Sequence, residues 1–168
     1  MNLMPKKPEH FEKTIKYLGK IFGNTQYAFR GTTSLVLQNI DMNIDDIDIL
    51  TNKDIALKCN KLLNKYIKEK VKYQKSEKFK SYYGKFEINK IQVEIMGKWQ
   101  IFNQRKQAWS KPFYANKGEI TSIVFRKQEI NVTKIKTELE MFMLMGRWNA
   151  YHKIKGQLPQ DPKQEKLI

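Results

Sequence analysis

Asp46 and Asp48 stand two residues apart in Asp45-Asp46-Ile47-Asp48-Ile49-Leu50, a segment otherwise built of β-forming apolar residues. On an extended strand alternate side chains share a face, so the two carboxylates project together while Ile47, Ile49 and Leu50 supply core-facing character. Held side by side at the rim of a sheet they repel each other, and a hard, oxygen-loving cation such as Mg²⁺ relieves that repulsion. Glu94 is a third candidate, alone among apolar neighbours in Ile91-Gln92-Val93-Glu94-Ile95-Met96. Beside the pair it would share a second ion and accept the proton of an attacking hydroxyl, and two such ions clamp the attacking and leaving oxygens of a phosphoryl displacement. Upstream lies Gly31-Thr32-Thr33-Ser34. There glycine permits close approach of the backbone to a phosphate, the start of the following helix offers N–H groups and a favourable dipole, and Thr32 and Thr33 add hydroxyls. Arg30 and Arg147 are candidate bidentate donors to triphosphate oxygens, or ordinary surface residues. An acid-x-acid triplet alone is also compatible with solvated surface acids, and Glu94 with a surface bridge to Lys85.

These residues need elements to hold them. Phe11, Ile15, Leu18 and Phe22 recur at helical spacing and predict a first helix ending near Gly23-Asn24. Tyr27 to Phe29 reads as a short strand, Thr32 to Gln38 as a buried helix, Asp41 to Asp45 as a polar loop and Asp46 to Leu50 as the next strand. Thr51 with Asp54 resembles a capping box opening a helix through Tyr66, with Ile55, Cys59, Leu62 and Tyr66 as its apolar stripe. Tyr82 to Ile88 and Ile91 to Met96 alternate around Asn89-Lys90, as a hairpin in which residue 88 faces 91, 86 faces 93 and 85 faces 94. That register gathers Phe86, Ile88, Ile91, Val93 and Ile95 on one face and Lys85, Glu87, Gln92 and Glu94 on the other. Residues 97 to 117 lack periodicity and read as a long connection. Ile120 to Phe125 suggests a strand, one long helix spans about 134–155, and the tail from 156 to 168 is expected to fray.

With 168 residues and 40% hydrophobic content, the chain reads as a single domain. Thirty-two Lys and Arg against 17 Asp and Glu leave a net charge of +15, which attracts polyanions such as RNA or nucleoside triphosphates. Lysine-rich stretches such as Lys65 to Lys80 carry much of the excess, and a lysine-biased composition would give the same count without a binding role. The lone cysteine, Cys59, excludes disulfides within the chain and is expected to be a small buried hydrophobe. Met141, Met143 and Met145 are expected to fill core, while His10 and His152 have no ligand spacing. No apolar run resembles a signal peptide or a membrane span, so the expectation is a soluble, cytoplasmic protein with no membrane partner.

At Gly31-Thr32, Asp46-Ile47-Asp48 and Glu94 the sequence resembles, over a core of roughly residues 25 to 97, the DNA polymerase β-type nucleotidyltransferase superfamily, whose hallmark is Gly-Ser at a helix start, an acid-apolar-acid strand and a third acid on a later strand. Val93-Glu94-Ile95-Met96-Gly97 and Leu144-Met145-Gly146-Arg147 are similar to small single-domain members related to the abortive-infection toxin branch. The resemblance implies an α/β (α+β) fold, a small mixed sheet flanked by helices like a polymerase β palm. It also implies Mg²⁺-dependent transfer of a nucleoside monophosphate from an NTP to a hydroxyl, with two ions held by Asp46, Asp48 and Glu94 and with Gly31, Thr32, Thr33, Arg30 and Arg147 toward the nucleotide. The acceptor is left open among RNA or tRNA, a protein and a small molecule, and a second copy or partner protein could complete the site. Rival readings are a basic RNA-binding module without turnover and a toxin-antitoxin component. The chain departs from the pattern in having Thr32 for the commoner Ser, and Trp148-Asn149-Ala150 where relatives often place a lysine.

Overall fold

The computed structural model describes residues 8–159. Helix α1 (Pro8–Phe22) buries the stripe Phe11, Ile15, Leu18 and Phe22, and Gly23, at φ 50°, ends it. Strand β1 (Tyr27–Arg30) is buried along its whole length and runs directly into the short helix α2 (Gly31–Leu37). Then come β2 (Ile47–Thr51), α3 (Lys53–Leu62), a 3₁₀ turn (Asn64–Tyr66), β3 (Ile67–Lys75), β4 (Phe79–Ile88) and β5 (Ile91–Asn103). The chain continues through β6 (Ala108–Trp109), β7 (Ile120–Phe125), β8 (Gln128–Thr133), α4 (Ile135–Leu144) and α5 (Trp148–Gln157).

The strands form one mixed sheet in the order β3-β4-β5-β2-β1-β8-β7, with β6 paired to β5. β2 runs antiparallel to β1 and parallel to β5, and β1 runs parallel to β8. The β4–β5 hairpin has the register the alternation predicts, with Lys85 opposite Glu94, Phe86 opposite Val93 and Ile88 opposite Ile91. Its turn residues Asn89 and Lys90 both have positive φ, the requirement of a type I′ turn, met here without glycine. One sheet face packs Phe29, Ile47, Ile49, Phe86, Val93 and Ile95 against α1 and α3. The opposite face joins Ala28, Leu50, Met96, Trp99 and Ile101 to Phe113 and to Met141 of α4. Met96 and Trp99 share this face despite odd spacing, because β5 carries a bulge there: the pairing with β4 slips between Lys80 and Tyr82, and Lys98 takes a left-handed φ of 52°.

Several expectations change. The cap of α3 is Asn52, whose side chain accepts from the Ile55 N–H at 2.8 Å, not Thr51, whose hydroxyl instead donates to the Gln26 carbonyl. The helix stops at Leu62, which is 48% exposed, and Leu63 takes the buried place on the stripe. From residue 67 to 75 the lysine-rich stretch is an edge strand, β3, where Lys68, Lys70 and Lys72 at alternate positions form a solvated face. Residues 97 to 117 are not one connection: β5 continues to Asn103 and β6 folds back on it. The expected single C-terminal helix is two. Gly146, at φ 69°, closes α4 with its own N–H bonded to the Met143 carbonyl and the Arg147 N–H bonded to the Phe142 carbonyl, a left-handed stop that redirects the chain. Met141 is buried as expected, whereas Met143 is 45% exposed. Gln157, expected in the frayed tail, ends α5 and exchanges hydrogen bonds with the Asp41 backbone; residues 160–168 lie outside the described residues.

Candidate metal centre

Asp48 has Arg30 of β1 as its register partner on one side and Glu94 of β5 on the other, and Glu94 in turn pairs with Lys85 of β4. Four neighbouring strands thus set Arg30, Asp48, Glu94 and Lys85 in one row, on the face turned away from α1 and α3. Asp46 lies two residues before Asp48, at the entry to β2. Asp46, Asp48 and Glu94 each present an oxygen within 4.8 Å of the other two, and all three are half-buried. The Tyr83 hydroxyl donates to Glu94 Oε1. Among the described residues Glu94 has no ion pair with Lys85, its cross-strand partner. Burial, then the neighbouring carboxylates Glu94 and Asp45, push the Asp46 carboxyl above its ordinary value. Burial pushes the Asp48 carboxyl well above its ordinary value, the Arg30 guanidinium opposes this without cancelling it, and Glu94 and Asp46 add to the rise. Burial followed by the bond to Glu94 drives the Tyr83 phenol up as well.

At the β1 end of this row Arg30 is fixed on three sides. Its Nη1 is 3.4 Å from Asp48 Oδ2, its Nη2 is 3.5 Å from Glu138 Oε2, and its guanidinium lies 4.4 Å from the Trp99 ring centroid. Glu138, fully buried at the start of α4, also accepts from the Gly31 N–H at 2.8 Å and from the Thr133 hydroxyl at 2.6 Å. Asp48 and Glu138 share this single guanidinium while Asp46 and Glu94 crowd Asp48, and with the carboxylates ionised the cluster carries excess negative charge that one arginine does not balance. Asp48 Oδ1 is buried with no hydrogen-bond partner. An all-oxygen donor set, an unpartnered carboxylate oxygen and mutual repulsion are what a hard divalent cation such as Mg²⁺ relieves, and the residues fit that ion.

The carboxylates open on a pocket of about 670 Å³ whose lining includes Arg30, Gly31, Thr32 and Arg147. Arg147 reaches it from the exposed turn between α4 and α5. Thr33 does not line the pocket; it is fully buried and its hydroxyl donates to the Asp46 carbonyl at 3.2 Å, so it holds the backbone of the acidic strand. The Gly31 N–H is likewise committed inward, to Glu138. Glycine is required at 31 twice over, by its φ of 65° and because a Cβ there would sit 2.9 Å from Asp48 Oδ2. Asp45 borders the pocket from the exposed loop, and Asp41 lies at the surface. Cys59 is buried among apolar side chains, and burial pushes its thiol up to about 12.

Sequence reasoning missed Glu138, Tyr83 and Trp99. Glu138 carried a signal: it lies three residues after Ile135 and four before Phe142, a charge on the apolar stripe of its helix. Trp99 carried none, since only the bulge at Lys98 brings it under Arg30.

Solved structures share this fold. A Thermotoga maritima protein, provisionally named a nucleotidyltransferase, superposes with a TM-score of 0.69 at 21% identity over 86% of this chain and 91% of its own. An antigenic nucleotidyltransferase-like protein from Paracoccidioides brasiliensis does so with a TM-score of 0.50 at 11% identity, over 92% of this chain and 79% of its own. No family model and no curated protein sequence matches the chain. The mixed sheet flanked by helices is thus a nucleotidyltransferase fold. Among the described residues no helix is long and apolar enough to cross a membrane.

Proposed function

We propose that this protein is a Mg²⁺-dependent nucleotidyltransferase that moves a nucleoside monophosphate from an NTP to a hydroxyl acceptor, releasing pyrophosphate. The observation that carries the reading is the convergence of Asp46, Asp48 and Glu94 within 4.8 Å of one another. Asp46 and Asp48 would hold the ion that bears the triphosphate, and Glu94 would share a second. Bound there, Mg²⁺ supplies charge neutralisation and alignment for an in-line phosphoryl displacement. Glu94 has Oε1 committed to the Tyr83 hydroxyl, which leaves Oε2 to take the proton of the attacking hydroxyl. Arg30, anchored on Trp99 and Glu138, keeps the Asp48 carboxylate turned to the pocket. Thr32 and Arg147, which line the same pocket, would donate to phosphate oxygens. Most of the catalysis would be positioning and electrostatic neutralisation.

The test presents labelled ATP, CTP, GTP and UTP separately with Mg²⁺ and total cellular RNA, and follows the label. Transfer that needs both Mg²⁺ and Glu94 supports the reading; no transfer to RNA, protein or small molecule from any of the four nucleotides contradicts it.

A further inference from the structure

The residues of β4 alternate across the sheet. Phe79, Ser81 and Tyr83 line the pocket, so Lys80 and Tyr82 project from the other face. There α3 covers only part of the sheet, and a cluster of cations and aromatic rings occupies the remainder. Lys80 Nζ lies 4.2 Å and Lys75 Nζ 5.8 Å from the Trp109 ring centroid, and Phe102 packs edge-on to Trp109 at 5.2 Å. Lys53, at the start of α3, places its Nζ 5.2 Å from the Tyr82 ring, which in turn packs against Tyr73 at 5.5 Å. Tyr73 is 54% exposed. Among the described residues none of Lys53, Lys75 and Lys80 is in an ion pair. From 65 to 80 the chain places seven lysines against two glutamates.

Two features suit this face to a polyanion with planar bases. The rings hold the ammonium groups against the sheet, which lowers the side-chain entropy lost when each meets a phosphate. The half-exposed aromatics offer stacking surface to unpaired bases, which a duplex keeps inside its own stack. The cluster also adjoins the pocket, because Lys75 belongs to both: it borders the cavity and reaches toward Trp109.

We propose that the face formed by Lys53, Tyr73, Lys75, Lys80, Tyr82 and Trp109 binds single-stranded RNA and leads its end over the β3–β4 turn into the carboxylate pocket. Resting on the nucleotidyltransferase reading above, this names RNA as the acceptor and its terminal hydroxyl as the nucleophile. The hydroxyl oxygen bonds to the α-phosphorus of the NTP, the bond from that phosphorus to the bridging oxygen of pyrophosphate breaks, and the hydroxyl proton passes to Glu94.

Binding is measured first, without Mg²⁺ or NTP, by titrating a labelled unstructured RNA of about 15 nucleotides between 50 and 200 mM salt. The expected log–log slope is about −0.7 per phosphate neutralised, and competing duplex RNA is expected to displace the probe poorly. Lys53→Glu/Lys80→Glu is expected to weaken binding at least 10-fold with an unchanged melting temperature. Lys20→Glu/Lys127→Glu, which makes the same charge change on α1 and on the β7–β8 turn at the far edge of the sheet, is expected to weaken it less than 3-fold. Equal losses in the two pairs, no binding at 50 mM salt, or capture of duplex in preference to single strands would overturn the proposal. Glu94→Gln separates it from the catalytic reading, since this variant is expected to bind RNA like wild type while failing to label it. Wild-type protein that binds RNA on this face yet labels only a protein or small molecule would overturn RNA as acceptor and leave the nucleotidyltransferase reading standing.

Discussion

Gly31 and Asp48 are packed so closely that any side chain at position 31 would place its first carbon 2.9 Å from Asp48 Oδ2. The turn that starts α2 and the carboxylate at the centre of the acidic row are therefore one unit. Gly31→Ala meets two costs: a left-handed φ that costs an L-residue about 1 kcal/mol, and a displaced Asp48 carboxylate. The melting temperature should fall by a few degrees and Mg²⁺ affinity by a larger factor, both readable by calorimetry. Unchanged Mg²⁺ affinity would mean that Asp48 moves aside without consequence.

Glu138 ties α4 to the site through the Gly31 N–H, the Thr133 hydroxyl and Arg30. Glu138→Ala should destabilise the fold by about 3–5 kcal/mol, the scale of breaking a buried ion pair, because Arg30 loses one of its two carboxylates and a buried N–H its acceptor. Denaturant titration measures this. A loss below about 1 kcal/mol would make Glu138 incidental.

The raised value of Asp48 has a definite sign for metal-free stability. An unfolded chain gives up this proton near 3.8, whereas the folded chain keeps it to higher pH, so the folded state binds more protons in that window and loses stability as pH rises through it. Asp48→Asn removes the penalty. In EDTA its melting temperature, relative to wild type, should climb from pH 4 upward. A difference that shrinks with pH would show that pairing with Arg30 outweighs burial and carboxylate repulsion.

Glu94→Gln keeps shape but loses basicity, and turnover should fall about 10²-fold or more while Mg²⁺-dependent NTP binding persists. Tyr83→Phe removes the hydrogen bond at Oε1 and should lower turnover about 10-fold, corresponding to the roughly 1.5 kcal/mol of a hydrogen bond to a charged group, with little change in KM for NTP. Single-turnover kinetics distinguishes these variants. Wild-type turnover in Glu94→Gln would remove it from the chemistry.

Much of this arrangement was legible from local pattern. The two-residue turn Asn89-Lys90 together with the alternation sets the β4–β5 register, and with it the side of the sheet on which Glu94 lies, because a one-residue slip would have buried every charge. The parallel pairing that brings Asp48 beside Glu94 joins strands more than forty residues apart, and no local signal carries it. The strand β3 was hidden by its lysines, since an edge strand needs few apolar residues. Thr33 looked like a phosphate ligand by its neighbours, and only the tertiary fold turns its hydroxyl to the Asp46 carbonyl.

If Asp46 and Asp48 hold the divalent cation that bears the NTP, nucleotide binding needs both that ion and both carboxylates. The most direct test is calorimetric titration of a non-hydrolysable NTP analogue into wild type, Asp46→Asn and Asp48→Asn, each with Mg²⁺ and with EDTA. Binding is expected by wild type in Mg²⁺ only, with at least a 10-fold loss in either variant while both remain folded. Analogue binding of equal strength in EDTA, or undiminished Mg²⁺-dependent binding by both variants, would contradict that requirement.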